Sequence, residues 1–382
     1  MDLSLTAEQQ QFRDLAREWV DREVVPHAAE WDRAEQVDTK IVGKLADLGF
    51  LGLGIDEELG GSGGDFLTYA LMMEELGRGD TSVRGIVSVS LGLVAKTIQA
   101  YGVEAQKTRW LPALCSGEML GCFGLTEPGT GSDAGSLITR AIRDGDDWVL
   151  SGEKIFITNG TWAGVALIFA RTGGLGPKGI TAFLVPTDSP GFGRREIKGK
   201  LGLRGQATAE IILDAVRIPD DHRLGDEGAG FTIAMTALDK GRIAVASGSV
   251  GLARGCLEAS IAYAKDRTQF GKPIAGYQLV QEMIADMAVE TDAARLLVWR
   301  AADLVDRGLP FRTEASMAKL FATESAVKAA NQAIQIFGGY GYVDEFPVGK
   351  AMRDARVTTL YEGTSQIQKL LIGRALTGIS AF

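Results

Sequence analysis

The sequence predicts an α+β protein that is mostly α-helical, with its strands gathered in the middle of the chain. Apolar residues follow a helical period over residues 1–117, with breaks at the glycine-rich stretch 59–64 and near Asp80. Residues 118–228 instead hold short β-branched runs separated by Gly, Asp and Pro. The helical period returns over residues 229–382. These three blocks are the predicted domains, and the lack of βαβ alternation argues against a parallel dinucleotide-binding sheet.

The first predicted element is an amphipathic helix near the amino terminus. In MDLSLTAEQQQFRDLAREWV, the residues Phe12, Leu15, Ala16 and Trp19 fall on one face at helical spacing, and Thr6 is a candidate N-cap. Acidic residues come early, so the segment resembles neither a signal nor a transit peptide.

The predicted strands and a long helix follow in chain order. WVLSGEKIFITN, GVALIFAR, ITAFLVPT and AEIILDAVRIP are β-branched and of strand length. Apolar residues between Val280 and Asp306 recur at helical spacing, and Gly308 with Pro310 supplies the stop. We expect this helix in the core of a helix bundle.

Charge and hydropathy exclude several classes of function. The chain has 382 residues, and 40 Lys and Arg against 49 Asp and Glu give a net charge of −9. This balance argues against a general affinity for nucleic-acid phosphates. No uninterrupted apolar run is long enough to cross a bilayer, so we predict no membrane span.

Cysteine and histidine are scarce. Cys115, Cys122 and Cys256 are too few and too scattered for a disulfide framework or a zinc site, which favours a reducing, cytoplasmic setting. His27 and His222 leave little material for a Ser-His-Asp triad or a metal site. We therefore predict no metal, and expect proton chemistry to fall to a carboxylate.

Two segments of the middle block could contact a flat or anionic ligand. The loop LTEPGTGSDAG, residues 125–135, combines glycines that allow close approach with Thr and Ser hydroxyls. The segment KIFITNG, residues 154–160, ends a strand with Phe156 and Thr158 on one face. Alone, each is more often an ordinary loop or strand end.

The last helical block holds arginines beside glycine and amide side chains. The arginines occur in DKGR at 239–242 and in RTQFG at 267–271, and Gln278 and QIFGG at 335–339 add amide side chains and glycines. A guanidinium donates hydrogen bonds in a planar fork that suits a phosphate. Taken singly, each is more often a solvated ion pair.

A glutamate near the carboxyl terminus has the setting of a base. Glu362 stands between Tyr361 and Gly363, just before a helix that Thr364 or Ser365 would cap. Desolvation there would raise the pKa of the carboxyl group and make it a stronger base toward a carbon acid. An isolated YEG tripeptide is usually a surface loop.

Six stretches in this order, over nearly the whole chain, resemble the acyl-CoA dehydrogenase family: LTEPGTGSDAG, KIFITNG, KLGLRGQATAEIILDAVRIP, DRTQFGKPI, QIFGGYGYVDEFP and RDARVTTLYEGTSQIQ. The resemblance implies an N-terminal helical domain, a central β-barrel or sandwich domain and a C-terminal four-helix bundle. It also implies a homotetramer with FAD at the subunit junction, and an electron-transfer flavoprotein as redox partner.

The resemblance also implies a set of FAD contacts. Around the isoalloxazine it places Phe123, Leu125, Thr126, Gly131, Ser132, Phe156, Ile157 and Thr158, where many relatives have Trp in place of Phe156. Against the FAD of the neighbouring subunit it places Arg267, Phe270, Gln278, Gln335, Ile336, Gly338 and Gly339. Thr364 and Gln366 match residues that close over the cofactor.

For the substrate, the resemblance implies an acyl-CoA that loses hydrogen from its α and β carbons. Glu362 matches the catalytic base, which takes the α-proton while the β-hydrogen leaves as hydride to the flavin. Some relatives place the base at the position matching Gly241 instead. The implied substrate contacts are Ser132, Asp239, Arg242, Tyr361 and Gly363.

The identity of the acyl group stays open at this point. ARLLVWRAADLVDRGLPF and YEGTSQIQ look most like short-chain and short-branched-chain members. Arg84 matches the place where glutaryl-CoA dehydrogenases carry an Arg for the distal carboxylate, although the tail TSQIQ differs from their histidine-containing tail. The alternative for Arg84 is a helix-end charge paired with an acid. A thioester on a carrier protein is a further alternative. So is a flavin-binding relative with no dehydrogenase activity, or an oxidase or monooxygenase on the same fold.

Overall fold

The N-terminal part of this computed structural model, which describes residues 4–380, is helical. Its helices are α1 (Ala7–Glu23), α2 (Ala28–Ala34), α3 (Ile41–Asp47), α4 (Phe66–Gly79), α5 (Thr81–Val87), a π-helical segment (Ser88–Ala95), α6 (Lys96–Tyr101) and α7 (Glu104–Cys115). The predicted cap is confirmed, since Thr6 Oγ1 accepts a hydrogen bond from the Gln9 amide at 3.2 Å. Leu15 was wrongly assigned to the buried face: it is 46% exposed, whereas Ala16, Trp19 and Val20 are buried.

The middle part is one mixed eight-stranded sheet. Its strands are β1 (Gly121–Gly124), β2 (Arg140–Asp144), β3 (Asp147–Thr158), β4 (Val165–Arg171), β5 (Ile180–Pro186), β6 (Phe192–Glu196), β7 (Thr208–Pro219) and β8 (Arg223–Leu224). The order is β6-β7-β3-β2-β4-β5-β8, with β1 beside β4. β1 and β2 pair in parallel with β4, and the other pairings are antiparallel. The four predicted strand segments are confirmed.

The last part is again helical. It contains α8 (Gly230–Asp266), the short hairpin β9 (Thr268–Gln269) and β10 (Lys272–Pro273), then α9 (Gln278–Asp306), α10 (Arg312–Phe337), α11 (Pro347–Thr358) and α12 (Ser365–Thr377). α8, α9 and α10 pack along one another, and α11 and α12 pack on α10. The helix predicted between Val280 and Asp306 is confirmed as α9.

Helix α8 passes close to the N-terminal helices because both carry glycine at the contact. A β-carbon at Gly77 of α4 would lie 2.2 Å from the Gly248 carbonyl oxygen of α8. No side chain fits at that distance, so the two backbones touch directly. This contact places α5 and the π-helical segment beside the middle of α8, where the site described below is found.

One helical stretch, Thr81–Tyr101, is long and apolar enough by length and composition to cross a membrane, with a mean hydropathy of 1.2 over its best window. The sequence analysis predicted no membrane span because Arg84 and Lys96 interrupt the apolar residues of this stretch. Of that window, 94% is buried inside the protein. The stretch therefore has the surroundings of a core helix.

Candidate active site

The turn between α11 and α12 holds Glu362 in an unusual backbone conformation. Glu362 has a φ of 50° and Gly363 a φ of 91°, so two left-handed residues follow one another. Such a φ is uncommon outside glycine and persists only where neighbouring contacts determine it. Thr364 then caps α12, its Oγ1 accepting from the Ile367 amide at 3.2 Å. Of the two predicted caps, Thr364 is the one that acts.

The side chain of Glu362 lies against the backbone of α8. A β-carbon at Gly241 would lie 2.2 Å from Glu362 Oε2 and 3.0 Å from Leu93 Cδ2. The carboxyl group therefore occupies space that exists only because residue 241 has no side chain. Leu93, from the π-helical segment, forms the other wall.

Glu362 is half-buried, and one oxygen of its carboxyl group is an unused acceptor. Oε2 is out of contact with solvent and accepts no hydrogen bond from the described residues. Burial raises the pKa of Glu362, and the positive charges of Arg84, Lys319 and Arg242 offset this only in part. A carboxylate that is neither solvated nor hydrogen-bonded is a stronger proton acceptor than one in water.

Asp239 and Arg242, predicted as substrate contacts, flank Gly241 on α8. Arg242 Nη1 donates to Asp239 Oδ1 at 2.5 Å, and Arg312 Nε lies 2.8 Å from Asp239 Oδ2. Both members of the pair are buried, and Arg242 Nε has no hydrogen-bond partner among the described residues. The pair therefore brings a guanidinium with a free donor close to Glu362.

Arg84 does not have the environment predicted for a helix-end charge. It is 2% exposed, and no carboxylate of residues 4–380 lies within 4.0 Å. Its Nη2 donates to Tyr361 Oη at 2.7 Å, while Nη1 is buried without a partner. The nearby acid, Asp80, instead accepts from the Ser82 and Val83 amides and pairs with a lysine. The predicted acid pairing of Arg84 is therefore wrong.

Gly248 makes room for Arg84. A β-carbon there would lie 2.2 Å from Arg84 Cδ. Gly241 and Gly248, about two turns apart along α8, thus accommodate the side chains of Glu362 and Arg84.

The loop predicted to contact the isoalloxazine begins at the end of β1. Phe123 and Leu125 are buried, the Thr126 carbonyl accepts from the Ile155 amide at 3.0 Å, and Gly131 and Ser132 are exposed. The loop has free space at its tip, since a β-carbon at Gly131 would meet nothing within 4 Å. Exposed backbone and hydroxyl groups there can face a ligand.

A buried ion pair fixes this loop to β3. Lys154 Nζ lies 2.8 Å from Glu127 Oε1 and 3.1 Å from the Leu125 carbonyl oxygen. Glu127 also accepts from the Ile138 and Thr139 amides at 2.6 and 2.9 Å. Burial lowers the pKa of Lys154 to about 8, against the opposing effect of Glu127.

The end of β3 presents an uncovered aromatic ring. A bulge between Lys154 and Ile157 accompanies a φ of 60° at Phe156, whose side chain is 65% exposed. Ile157 is buried and Thr158 is half-buried, and the shared face predicted for Phe156 and Thr158 stays a prediction. An exposed ring beside an open polar loop fits the flat, hydrogen-bonding isoalloxazine of FAD.

The second predicted group of FAD contacts lies around another cleft. This cleft, of about 590 Å³, is lined by Arg267, Ile336, Gly338 and Gly339 among others. Gln278, Gln335 and Phe270 are exposed, Phe270 to 95%. Ile336 packs in a different hydrophobic core from Phe123 and Leu125. Arg267, Ile336, Gly338 and Gly339 therefore meet around one cleft beside the end of α10.

Thr364 and Gln366, predicted to close over the cofactor, have different surroundings. Thr364 is engaged as the cap of α12. Gln366 is exposed and lines a smaller cleft of about 180 Å³ with Glu324 and Arg356.

Sequence reasoning missed two side chains that hold the Glu362 turn. Lys319 Nζ donates to the Gly363 carbonyl at 2.8 Å, and Gln368 Nε2 donates to the same carbonyl at 3.0 Å. Both side chains are 0% exposed. A lysine at 319 among Ala315, Ala318 and Ala322 of one apolar helix face was the available signal, because lysine is rarely buried without a partner.

Comparison with known proteins identifies one family along nearly the whole chain. Family models for the acyl-CoA dehydrogenase N-terminal, middle and C-terminal domains match residues 6–118, 122–216 and 228–377. A probable acyl-CoA dehydrogenase of Bacillus subtilis is 46% identical over 98% of this chain and 100% of its own. The human mitochondrial short-chain specific acyl-CoA dehydrogenase is 46% identical over 95% of this chain and 88% of its own.

Solved structures of related proteins have the same fold over nearly the whole chain. Butyryl-CoA dehydrogenase of Megasphaera elsdenii has a TM-score of 0.96 at 41% identity, covering 98% of this chain and 100% of its own. Glutaryl-CoA dehydrogenase of Mycobacterium smegmatis has a TM-score of 0.95 at 40% identity, covering 99% and 96%. A chain in the structure of the electron transferring flavoprotein of Acidaminococcus fermentans has a TM-score of 0.97 at 42% identity, covering 99% and 100%.

The fold and these matches define a flavoprotein oxidoreductase. The chain belongs to the acyl-CoA dehydrogenase family, and its cofactor is FAD. The predicted fold class is confirmed, whereas the exact domain boundaries at 117 and 228 stay predictions.

Proposed function

We propose that this protein oxidises a short-chain or short-branched acyl-CoA to the trans-2-enoyl-CoA, with Glu362 as the base that takes the α-proton. The observation that carries the proposal is the buried Glu362 Oε2, which lacks a hydrogen bond and lies in the space left by Gly241. The C–H bond at the α carbon breaks toward Glu362, the β-hydrogen leaves with its electron pair, and the C=C bond forms. Bound FAD supplies the acceptor for that hydride.

The FAD contacts are proposed for the residues that meet its chemistry. The exposed ring of Phe156 would cover the isoalloxazine, with Ile157, Thr158 and the loop from Phe123 to Ser132 along its edge. Arg267, Phe270, Gln278, Gln335, Ile336, Gly338 and Gly339 would contact the FAD of a neighbouring copy. Contact of these residues with the FAD of a neighbouring copy would require a homo-oligomer, and the family resemblance implies a tetramer. Sedimentation equilibrium of the holoenzyme measures that number.

The remaining proposals concern surroundings of the site. Ser132, Asp239, Arg242, Tyr361 and Gly363 would contact the substrate, and Thr364 with Gln366 would lie near the cofactor. An electron-transfer flavoprotein would reoxidise the enzyme, supported by the similarity to a chain from such a structure. We propose a cytoplasmic location. A carrier-protein thioester in place of the CoA thioester is an alternative. Activity assays with the same acyl group on each of the two carriers distinguish them.

A second candidate function is favoured by Arg84. Its buried Nη1 has no hydrogen-bond partner among the described residues. Burying a guanidinium that has no carboxylate partner costs roughly several kcal/mol of free energy, unless a bound anion pairs with it. A distal carboxylate on the acyl group, as in a glutaryl-type substrate, would supply that anion beside Glu362.

The experiment that separates these candidates is anaerobic reduction of the bound flavin by a panel of butyryl-, isobutyryl-, 2-methylbutyryl- and glutaryl-CoA. Rapid loss of flavin absorbance with a monocarboxylic member supports the first proposal. Loss with glutaryl-CoA alone assigns Arg84 to the distal carboxylate. In that case Arg84→Met should lower glutaryl turnover by about 10²-fold or more, the scale of a buried charge pair, and spare butyryl turnover. Failure of all four acyl-CoA substrates with FAD bound contradicts both.

A further inference from the structure

The inference concerns the side chains that determine the position and charge state of Glu362, and it rests on the proposed role of that residue. Glu362 and Gly363 form two successive left-handed residues, at φ 50° and 91°. A glutamate in this conformation is strained and needs contacts that hold it. Those contacts are made at the backbone carbonyls of the two residues.

Two buried donors meet at these carbonyls. Lys319 Nζ donates to the Gly363 carbonyl at 2.8 Å from α10. Gln368 Nε2 donates to the Gly363 carbonyl at 3.0 Å and to the Glu362 carbonyl at 3.3 Å from α12. A side chain at Gly363 would lie 2.5 Å from Gln368 Nε2, so the amide is packed directly on the turn. The turn is thus held from two helices.

Only one of these donors carries charge. Lys319 is 0% exposed, and no carboxylate of residues 4–380 lies within 4.0 Å of its ammonium. The charged groups facing it are Glu362, Arg242 and Glu324. The charged groups facing Glu362 are Arg84, Lys319 and Arg242, and the hydroxyls of Tyr69 and Tyr361 also lie near it, while burial acts in the opposite sense. Burying a lysine without a salt-bridge partner costs free energy. The hydrogen bond from Lys319 to the Gly363 carbonyl is the contact that offsets this cost.

We propose that Lys319 is a positioning residue for Glu362: its ammonium holds the Gly363 carbonyl and supplies one of the positive charges that keep the Glu362 carboxylate ionised. Gln368 holds the same turn without charge. The two anchors therefore have different expected signatures, because a lost charge changes the protonation of Glu362 whereas a lost neutral donor changes only its position.

The pH dependence follows from the direction of each effect. The charge of Lys319 lowers the pKa of Glu362, so its removal should raise that pKa. Since Glu362 must be deprotonated to act, the acid limb of kcat/KM would move to higher pH. Burial lowers the pKa of Lys319 itself to about 8, so its charge is present below that pH.

The test compares Lys319→Met, Gln368→Leu and the matched control Lys328→Met, an exposed lysine on the same helix α10. For Lys319→Met, we expect the acid limb to rise by ~1 pH unit, the usual effect of one nearby charge, with about tenfold lower activity below it. Gln368→Leu should lower activity at every pH and leave the limb in place. Lys328→Met should match the wild type.

A second measurement follows the protonation of Glu362 without turnover. Infrared titration of the carboxyl C=O band that is absent in Glu362→Gln should show the same shift in Lys319→Met. If Lys319→Met loses FAD or unfolds, Lys319→Gln replaces it. An unmoved limb and an unmoved infrared titration in the neutral variant would overturn the proposal and leave Lys319 a structural anchor. If Glu362→Gln itself keeps full activity, the proposed function fails instead, so the two failures are distinguishable.

Discussion

A β-carbon at Gly241 would lie 2.2 Å from Glu362 Oε2, although the two residues are far apart in the chain. Glycine at 241 and glutamate at 362 are therefore one structural unit, in which α8 provides the space and the left-handed turn fills it. The same geometry explains why a second acidic side chain at 241 would not fit beside Glu362.

The first prediction follows from this contact. Gly241→Ala should displace the Glu362 carboxyl group and lower kcat by about 10²-fold, the effect of an ångström-scale misplacement of a catalytic group. FAD content should not change, because the substitution does not touch Phe156 or Arg267.

Its control is Gly373→Ala in α12, where a β-carbon would meet nothing within 4 Å. Activity should equal that of the wild type, and the free energy of unfolding should rise by about 0.5–1 kcal/mol, as for Gly to Ala within a helix. Equal activity of the two alanine variants would show that Glu362 does not act from its position against α8.

The second prediction concerns pH and activity. Burial raises the pKa of Glu362, so kcat/KM should fall, as pH is lowered, at a pH above that expected for an exposed glutamate. A pH profile with a non-titrating substrate measures this limb. A limb at the ordinary carboxyl pKa would contradict the desolvated environment.

The third prediction concerns pH and stability. Because the pKa of Glu362 is raised in the folded state, its favourable contribution is fully present below its unfolded pKa and is lost as pH rises through the folded pKa. Glu362→Gln should therefore have a higher Tm than the wild type at pH 8 and a similar Tm at acid pH. Thermal unfolding at both pH values checks the sign, and a lower Tm at pH 8 would refute it.

The fourth prediction concerns the buried pair below the predicted flavin loop. Lys154→Met leaves the Glu127 carboxylate buried without its cation and should cost about 3–5 kcal/mol of unfolding free energy. Denaturant unfolding and FAD content measure the loss. The exposed Lys178→Met should be neutral, and Glu127→Gln in the Lys154→Met background should recover part of the stability. A neutral Lys154→Met would show that the pair does not stabilise the loop.

Features that depend on local pattern could be predicted from the sequence. Thr6 and Thr364 cap their helices because an N-cap needs only the next three residues. The four strand segments of the middle block likewise follow from their β-branched composition. Glu362 was identifiable only through the family resemblance of RDARVTTLYEGTSQIQ, because a YEG tripeptide alone is usually a surface loop.

Features that depend on how helices cross could not be predicted in the same way. The partner of Arg84 is Tyr361, 277 residues away, because Asp80 is already engaged by backbone amides and Lys350. Lys319 reaches the Glu362 turn only through the packing of α10 against α12. Leu15 is exposed because the face of α1 that packs on the protein is formed by Ala16, Trp19 and Val20.

The central claim, that Glu362 takes the α-proton, is tested most directly by anaerobic single-turnover reduction of the ~450 nm flavin band in wild type and Glu362→Gln, using the acyl-CoA that the wild type oxidises. We predict that Glu362→Gln binds FAD and substrate normally and reduces its flavin about 10²-fold or more slowly, the usual contribution of a general base. Flavin reduction at the wild-type rate in Glu362→Gln would contradict the account.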